Sequence, residues 1–151
     1  MALWSWIQAV IGTRDFHYLI GYLWRSLIAT ESPVELHFDE IRDRLNDRSL
    51  IYLDVRNRIE LLVDGKVAGS VNIPETELEG AFDRNDREFF ALYGFCKPTK
   101  GAENIVVACH SGRRAITAVE KLLRLGYGSI KIYKGSFLDW KARGGFIVKQ
   151  Y

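Results

Sequence analysis

The feature that most constrains the fold is an apolar run of four residues that leads straight into a loop with a cysteine and a glycine. Ile105-Val106-Val107-Ala108 is typical of a buried strand, and Cys109 follows it directly. A few residues later, apolar positions return at helical spacing and stop at Gly126, which can end a helix. A strand, a short loop and a helix in this order predict one unit of an α/β domain.

The rest of the chain alternates in the same way between short apolar runs and helical segments. Further strands are predicted at 34–37, 50–53, 70–73 and 130–133. Further helices are predicted at 39–45, 58–63 and 87–93, and two more begin at about residues 76 and 136. The side chains predicted to cap helices are Asp39, Thr76 with Glu79, and Ser136 with Asp139. Short loops between alternating elements predict an α/β domain over residues 34–151, with a central, mainly parallel sheet flanked by helices.

Composition and charge narrow the class of protein. The chain has 151 residues, of which 48% are hydrophobic and 26% charged, and this suits one compact globular domain with a short extension. Its formal net charge of +2, without basic runs interleaved with aromatic residues, predicts no nucleic-acid partner. Two cysteines without CxxC spacing and three widely separated histidines predict neither a disulfide framework nor a metal site, and they suit a reducing compartment.

The loop Cys109-His110-Ser111-Gly112-Arg113-Arg114 is the best candidate for chemistry. Where a strand ends and a helix begins, unpaired backbone N–H groups and the helix dipole favour a thiolate, the nucleophilic form of cysteine. Gly112 lets the loop turn its N–H groups inward, and the two arginines add positive charge. We expect this cradle to bind a small dianion and to stabilise negative charge on the sulfur.

The simpler alternative for Cys109 is an inert cysteine of the core, because free cysteines are often buried. A core cysteine has no use for a glycine and two arginines close behind it, so we favour a functional role. His110 is adjacent to Cys109 in a tight loop, where the two side chains diverge, and we do not assign it as a catalytic base. Cys96, which precedes Lys97-Pro98, is interpreted as a surface thiol without a role.

Three segments together resemble the rhodanese (thiosulfate sulfurtransferase) family over residues 34–148. Residues 52–56 (YLDVR) with 69–74 (GSVNIP) are similar to its first signature, and residues 109–114 are similar to its active-site loop. Lys134-Gly135-Ser136 with Trp140 resembles its closing segment. The three occur in the family's order, which makes the resemblance specific. One departure is Lys66-Val67-Ala68-Gly69, where members often carry His-Ile-Pro-Gly; we expect it to change the pocket rim and to leave the loop intact.

The resemblance implies a doubly wound fold and a two-step sulfur transfer that needs no cofactor. Cys109 would take sulfur from thiosulfate or a related sulfane-sulfur donor, release sulfite and become a persulfide. A small thiol, cyanide or a thioredoxin-like protein would then discharge it. Asp54 and Arg56 would support the site from the neighbouring strand end, most simply as a buried ion pair. Carried over by position, the substrate-binding residues are the rest of the loop: His110, Ser111, Gly112, Arg113 and Arg114.

Two other classes of function compete with this interpretation. Cysteine phosphatases and arsenate reductases use related loops, but their arginine lies one residue further from the cysteine than Arg114 does, so the loop here is tighter. A non-catalytic binding module is the rival from a different class, and rhodanese-like domains of that kind usually lack the cysteine. A sulfur carrier or regulatory module that acts on a protein partner would use the same persulfide and stays open.

Residues 1–30 differ from the rest of the chain and form a predicted amphipathic helical extension. Apolar residues from Phe16 to Ile28 recur on one helical face, and the segment has Arg14 and Arg25, no lysine and the single acid Asp15. Amphipathic, arginine-containing and acid-poor segments are typical of mitochondrial targeting, which we therefore predict, with a cytoplasmic location as the alternative. Contact with a membrane surface through the segment's tryptophans, or packing on the domain, are the other interpretations.

Overall fold

The computed structural model describes residues 32–149. The predicted extension at 1–30, with its targeting and membrane interpretations, lies outside these residues. Within the described range, no helix is long and apolar enough to cross a membrane.

Within residues 32–149, four parallel strands form the central sheet. In chain order they are β1 (Ile51–Asp54), β3 (Val71–Asn72), β4 (Ile105–Ala108) and β5 (Lys131–Ile132), and in space they lie in the order β3-β1-β4-β5. The register pairs Leu53 with Val107 across the two central strands. Because all four strands run the same way, their carboxyl ends meet at one edge of the sheet, where loops and helix N-termini collect.

Two short strands lie apart from this sheet and pair in an antiparallel way. They are β2 (Lys66–Val67) and β6 (Ile147–Val148), with Val67 opposite Ile147. The helices are α1 (Phe38–Asn46), α2 (Arg58–Asp64), a 3-10 turn (Glu75–Glu77) that runs into α3 (Leu78–Asp83), α4 (Asp86–Tyr93), α5 (Arg113–Arg124) and α6 (Ser136–Ala142). The predicted α/β architecture with a mainly parallel sheet is confirmed.

Each face of the sheet has its own apolar core. Alternate residues of a strand point to opposite faces, so Leu53 and Val107 enter one core while Tyr52 and Val106 enter the other. The first core takes side chains from α3, α4 and α5, and the second takes side chains from α1 and α6. Helices on both faces of a parallel sheet make the doubly wound fold that the family resemblance implied.

Several local predictions differ from the structure. The stretch 34–37 is not a strand, because only Glu35 forms an isolated bridge, to Ile132 at the edge beyond β5. Asp39 does not cap α1, which begins after His37 without a side-chain cap. Thr76 lies inside a 3-10 turn, so it and Glu79 form no capping box.

Candidate active site

Cys109 follows β4 immediately and lies at the edge where the carboxyl ends of the strands meet. Its side chain is buried, with 1% of the residue exposed. The Gly112 N–H donates a hydrogen bond to Cys109 Sγ at 3.1 Å. Gly112 is also the N-cap of α5, so the sulfur faces the N-terminal end of a helix of 12 residues. A backbone donor and a helix N-terminus on one sulfur both favour its negatively charged form.

Glycine is the only residue type that fits at position 112 of the loop. Its φ is +95°, in the left-handed region that side chains disfavour. A Cβ atom there would lie 2.4 Å from the carbonyl oxygen of Lys134, which is closer than any real contact. The sequence predicted a glycine-dependent turn, and the structure adds the close approach of the backbone before α6.

Ser136 is a site residue that sequence reasoning misassigned. We expected its side chain to cap α6, but the helix begins without a side-chain cap after Gly135. The N–H groups of Phe137 and Leu138 bond instead to the carbonyls of Cys109 at 3.0 Å and His110 at 3.1 Å. The Cys109 N–H in turn donates to Ser136 Oγ at 3.1 Å. Asp139, the second predicted cap, bonds through its side chain to Tyr133 and Arg143.

The remaining loop residues differ in exposure. Ser111 and Arg113 are exposed, and none of the carboxylates described between residues 32 and 149 pairs with Arg113. His110 is half-buried, and its ring stacks on Phe137 with 6.3 Å between centroids. The buried His110 Nδ1 has no hydrogen-bond partner among the described residues. Among residues 32–149, the loop's positive charge without a carboxylate partner therefore belongs to Arg113.

Arg114 is held by a carboxylate that the sequence analysis did not single out. Its Nη1 and Nη2 donate to the two oxygens of Glu60 at 2.6 and 2.7 Å. Glu60 also accepts from the Asn57 N–H at 2.9 Å and forms a capping box with Asn57 at the start of α2. Hydrogen bonds from Arg114 lower the pKa of Glu60 to about 2. The spacing Asn57-x-x-Glu60 is the signal that marks this glutamate as ordered.

Asp54 and Arg56 form a fully buried ion pair below the site. Arg56 Nη2 lies 2.7 Å from Asp54 Oδ2 and also donates to the Gly65 carbonyl at 3.0 Å. Burial raises the pKa of Asp54, and the hydrogen bonds from Arg56 oppose that rise. The Arg56 guanidinium carbon lies 3.8 Å from the ring centroid of Phe137, and the Phe137 ring also stacks with that of His110. The pair thus reaches the loop through Phe137 rather than by direct contact with Cys109.

The doubly wound fold and a cysteine at the glycine-capped N-terminus of a helix define the class: an α/β domain whose active-site loop carries a cysteine. A family model described as Rhodanese-like domain matches residues 37–143, and the chain belongs to this family. The family resemblance inferred from the sequence is confirmed.

Known relatives specify the kind of enzyme. The mitochondrial thiosulfate sulfurtransferase RDL2 of Saccharomyces cerevisiae is 36% identical over 123 residues, 80% of each chain. Its crystal structure has a TM-score of 0.69 and covers 80% of this chain and 98% of that one at 33% identity. The human thiosulfate:glutathione sulfurtransferase is 35% identical and covers 67% of this chain and 87% of its own. The human single-domain sulfurtransferase TSTD1 has a TM-score of 0.69 and 32% identity, covering 75% and 98%. The chain is an enzyme of the thiosulfate sulfurtransferase type, as the sequence predicted.

Proposed function

We propose that this enzyme moves a sulfane sulfur from thiosulfate to a thiol through a persulfide on Cys109. The observation that carries the proposal is the Cys109 sulfur itself, which accepts a hydrogen bond from the Gly112 N–H at 3.1 Å at the start of α5. A sulfur placed this way is favoured as a thiolate and is therefore a nucleophile.

In the first step the Cys109 thiolate attacks the outer sulfur of thiosulfate. A bond forms between the two sulfurs, the sulfur–sulfur bond of thiosulfate breaks, and sulfite leaves with the bonding electron pair. In the second step an acceptor thiolate attacks the outer sulfur of the persulfide. Cys109 leaves as a thiolate, and the acceptor departs as its own persulfide. The same N–H group and helix terminus stabilise the negative sulfur before the first step and after the second.

The loop supports an anionic donor. Arg113 is exposed and has no carboxylate partner among residues 32–149, so it can attract a dianion. The N–H groups at the start of α5 can donate to the oxygens of that dianion, as at other helix N-termini. We assign His110, Ser111, Gly112 and Arg113 to this cradle. Arg114 has a different part in the proposal, because Glu60 occupies its guanidinium and makes it a brace for the loop.

A small thiol fits the site as acceptor better than a bulky one does. The Cys109 side chain is almost fully buried, so the acceptor's sulfur must reach it through little open space. A human relative is named a thiosulfate:glutathione sulfurtransferase, and glutathione is therefore the first acceptor to test. A thioredoxin-like protein, which would have to present its cysteine at the end of a protruding loop, is the second.

Phosphate hydrolysis is the rival reaction, and the position of Arg114 speaks against it. In the related phosphatase loops the arginine lies one residue further from the cysteine than Arg114 does, and here Arg114 bonds to both carboxylate oxygens of Glu60. We expect the wild type to hydrolyse an aryl phosphate poorly. Efficient hydrolysis would count against sulfur transfer as the main reaction.

The experiment that tests the proposal compares Cys109→Ser with Cys96→Ser. After incubation with thiosulfate, intact-mass spectrometry should show the wild type and Cys96→Ser gaining the mass of one sulfur atom, with sulfite released in equal amount. Cys109→Ser should gain nothing and lose turnover with glutathione while keeping its circular dichroism spectrum. Loading or turnover that survives in Cys109→Ser would refute the persulfide mechanism.

We also propose a mitochondrial location. The support is twofold: the relative RDL2 carries that location in its name, and residues 1–30 have the amphipathic, acid-poor composition of a targeting segment.

A further inference from the structure

Ser136 contacts Cys109 twice although 27 residues separate them in the sequence. Its Oγ lies 3.1 Å from the Cys109 N and 3.9 Å from the Cys109 Sγ. We propose that Ser136 is a positioning residue of the sulfur-transfer site: its hydroxyl fixes the backbone of Cys109 and donates a second hydrogen bond to the sulfur when the sulfur is negatively charged. The inference rests on the proposed role of Cys109 and deepens it.

The hydrogen bonds around the hydroxyl allow this change of partner. A serine hydroxyl has one proton and can accept as well as donate. Here Oγ accepts from the Cys109 N–H and donates to the Tyr133 carbonyl at 2.8 Å. That carbonyl also accepts from the Ser136 N–H at 3.2 Å. If the hydroxyl proton turns toward the sulfur, the Tyr133 carbonyl keeps a hydrogen bond and no buried acceptor is left without one.

The backbone conformation of Ser136 supports a functional role for its side chain. Its φ is +55°, in the left-handed region, where a residue with a Cβ atom is less stable than glycine. The residue is completely buried, so solvent exposure gives no reason for a polar side chain. A strained, buried, hydroxyl-bearing residue in contact with a nucleophile is typical of a functional site rather than of a helix start.

A hydrogen bond from this hydroxyl would stabilise the Cys109 thiolate in both steps of the proposed sulfur transfer. The sulfur of Cys109 is negative as it attacks the donor, and it is negative again when it leaves the persulfide. A hydrogen bond to a charged sulfur is stronger than one to a neutral thiol, so a donor here stabilises the thiolate selectively. Together with the Gly112 N–H, Ser136 would place two donors on one sulfur.

Two substitutions separate the hydroxyl from the strained backbone. Ser136→Gly removes the hydroxyl and relieves the positive φ, whereas Ser136→Ala removes the hydroxyl and keeps the strain. We expect Tm to differ between the two variants, with Ser136→Gly the more stable. Both should show the same functional defect if the hydroxyl is what matters.

The readout is the pH dependence of Cys109 alkylation by iodoacetamide, measured in a Cys96→Ser background so that one thiol reports. The midpoint should rise in both Ser136 variants by on the order of one pH unit, and the rate of sulfur loading from thiosulfate at neutral pH should fall with it. Ser70→Ala is the matched control, because Ser70 is also buried and its hydroxyl donates to the Val67 carbonyl, its one hydrogen bond within the described part of the chain. It should lower Tm and leave the midpoint unchanged.

An unchanged midpoint in Ser136→Gly overturns the proposal, since that variant is expected to fold. An equal shift in Ser70→Ala also overturns it, because the midpoint would then follow stability. Alkylation requires no sulfur donor, so the result is independent of the proposed reaction. A wild type that never loads sulfur, combined with a shifted midpoint, would remove the proposed function and leave the hydrogen bond to the sulfur in place.

Discussion

Glu60 holds Arg114 with both carboxylate oxygens, at 2.6 and 2.7 Å, across 54 residues of sequence. Glu60 belongs to α2, which follows β1, and Arg114 belongs to α5, which follows the Cys109 loop after β4. The pair therefore joins the two segments that leave the two central strands at the edge of the sheet that carries the site. Planar, two-pronged pairs of this kind fix geometry more strongly than single contacts do.

Glu60→Gln should lower the free energy of unfolding near neutral pH by on the order of 1–2 kcal/mol, because a neutral amide cannot replace the two charged hydrogen bonds. The pKa of Glu60 is about 2 in the folded chain against an ordinary 4.5, so its stabilisation is present above pH 4.5 and is lost as the pH falls toward 2. Denaturant unfolding between pH 7 and pH 3 should thus show a smaller loss of stability in the variant than in the wild type.

The matched control is Glu79→Gln. Glu79 faces Arg124 at 3.5 Å with both side chains more than half exposed, and such pairs contribute little. It should unfold like the wild type at every pH. If the free energy of unfolding falls equally with pH in the wild type and in Glu60→Gln, protonation of Glu60 is not the cause of the loss of stability in acid.

Gly112→Ala should destabilise the fold by about 3 kcal/mol or more and abolish sulfur loading. Two causes combine: the positive φ, and a Cβ atom that would lie 2.4 Å from the Lys134 carbonyl oxygen. Thermal unfolding and intact-mass measurement after thiosulfate treatment report the two effects.

Gly80→Ala tests whether Gly112 is special among the glycines. Gly80 lies within α3 and has open space where a Cβ atom would stand. Alanine there should raise stability by about 0.5–1 kcal/mol because it favours the helix, and sulfur loading should be unchanged. A tolerated Gly112→Ala would show that the loop can move away from Lys134.

Asp54→Asn should cost about 3–5 kcal/mol, because it leaves the buried guanidinium of Arg56 without its counter-charge. The comparison is Glu77→Gln, which breaks the ion pair with Arg58 at the surface, where both side chains are at least a third exposed, and should cost less than about 1 kcal/mol. Urea unfolding measures both. Equal losses would show that burial does not decide the strength of these pairs.

How much of the site the sequence predicts depends on how far apart the partners lie in the chain. β4, the loop and α5 are visible because strand pattern, glycine and helix pattern are local features, and the structure has β4 at Ile105–Ala108 as predicted. Asp54 and Arg56 are only two residues apart, so their pairing could be anticipated. The parallel sheet follows from the alternation of strands and helices.

The contacts that escaped prediction are long-range. Ser136 has the residue type of a helix cap, but the carbonyls of Cys109 and His110 already accept from the N–H groups of Phe137 and Leu138. The Ser136 hydroxyl instead accepts a hydrogen bond from the Cys109 N–H. Arg114 has the sequence position of a substrate ligand, but the fold brings Glu60 to it. The local sequence limits the roles that a residue can have, and its long-range contacts in the fold determine which role it takes.

The last prediction concerns residues 1–30, which we expect to direct the chain to mitochondria. Full-length chain and a version that starts at Ser32 should each be fused to a fluorescent reporter. Mitochondrial signal from the full chain alone, with the shortened enzyme still soluble and able to load sulfur, would show that the segment is an address separable from catalysis. Cytosolic signal from both would reject targeting. Loss of solubility in the shortened form would favour packing on the domain, and recovery of the full chain with lipid vesicles would favour a membrane-surface role, because amphipathic helices with tryptophans bind at that interface.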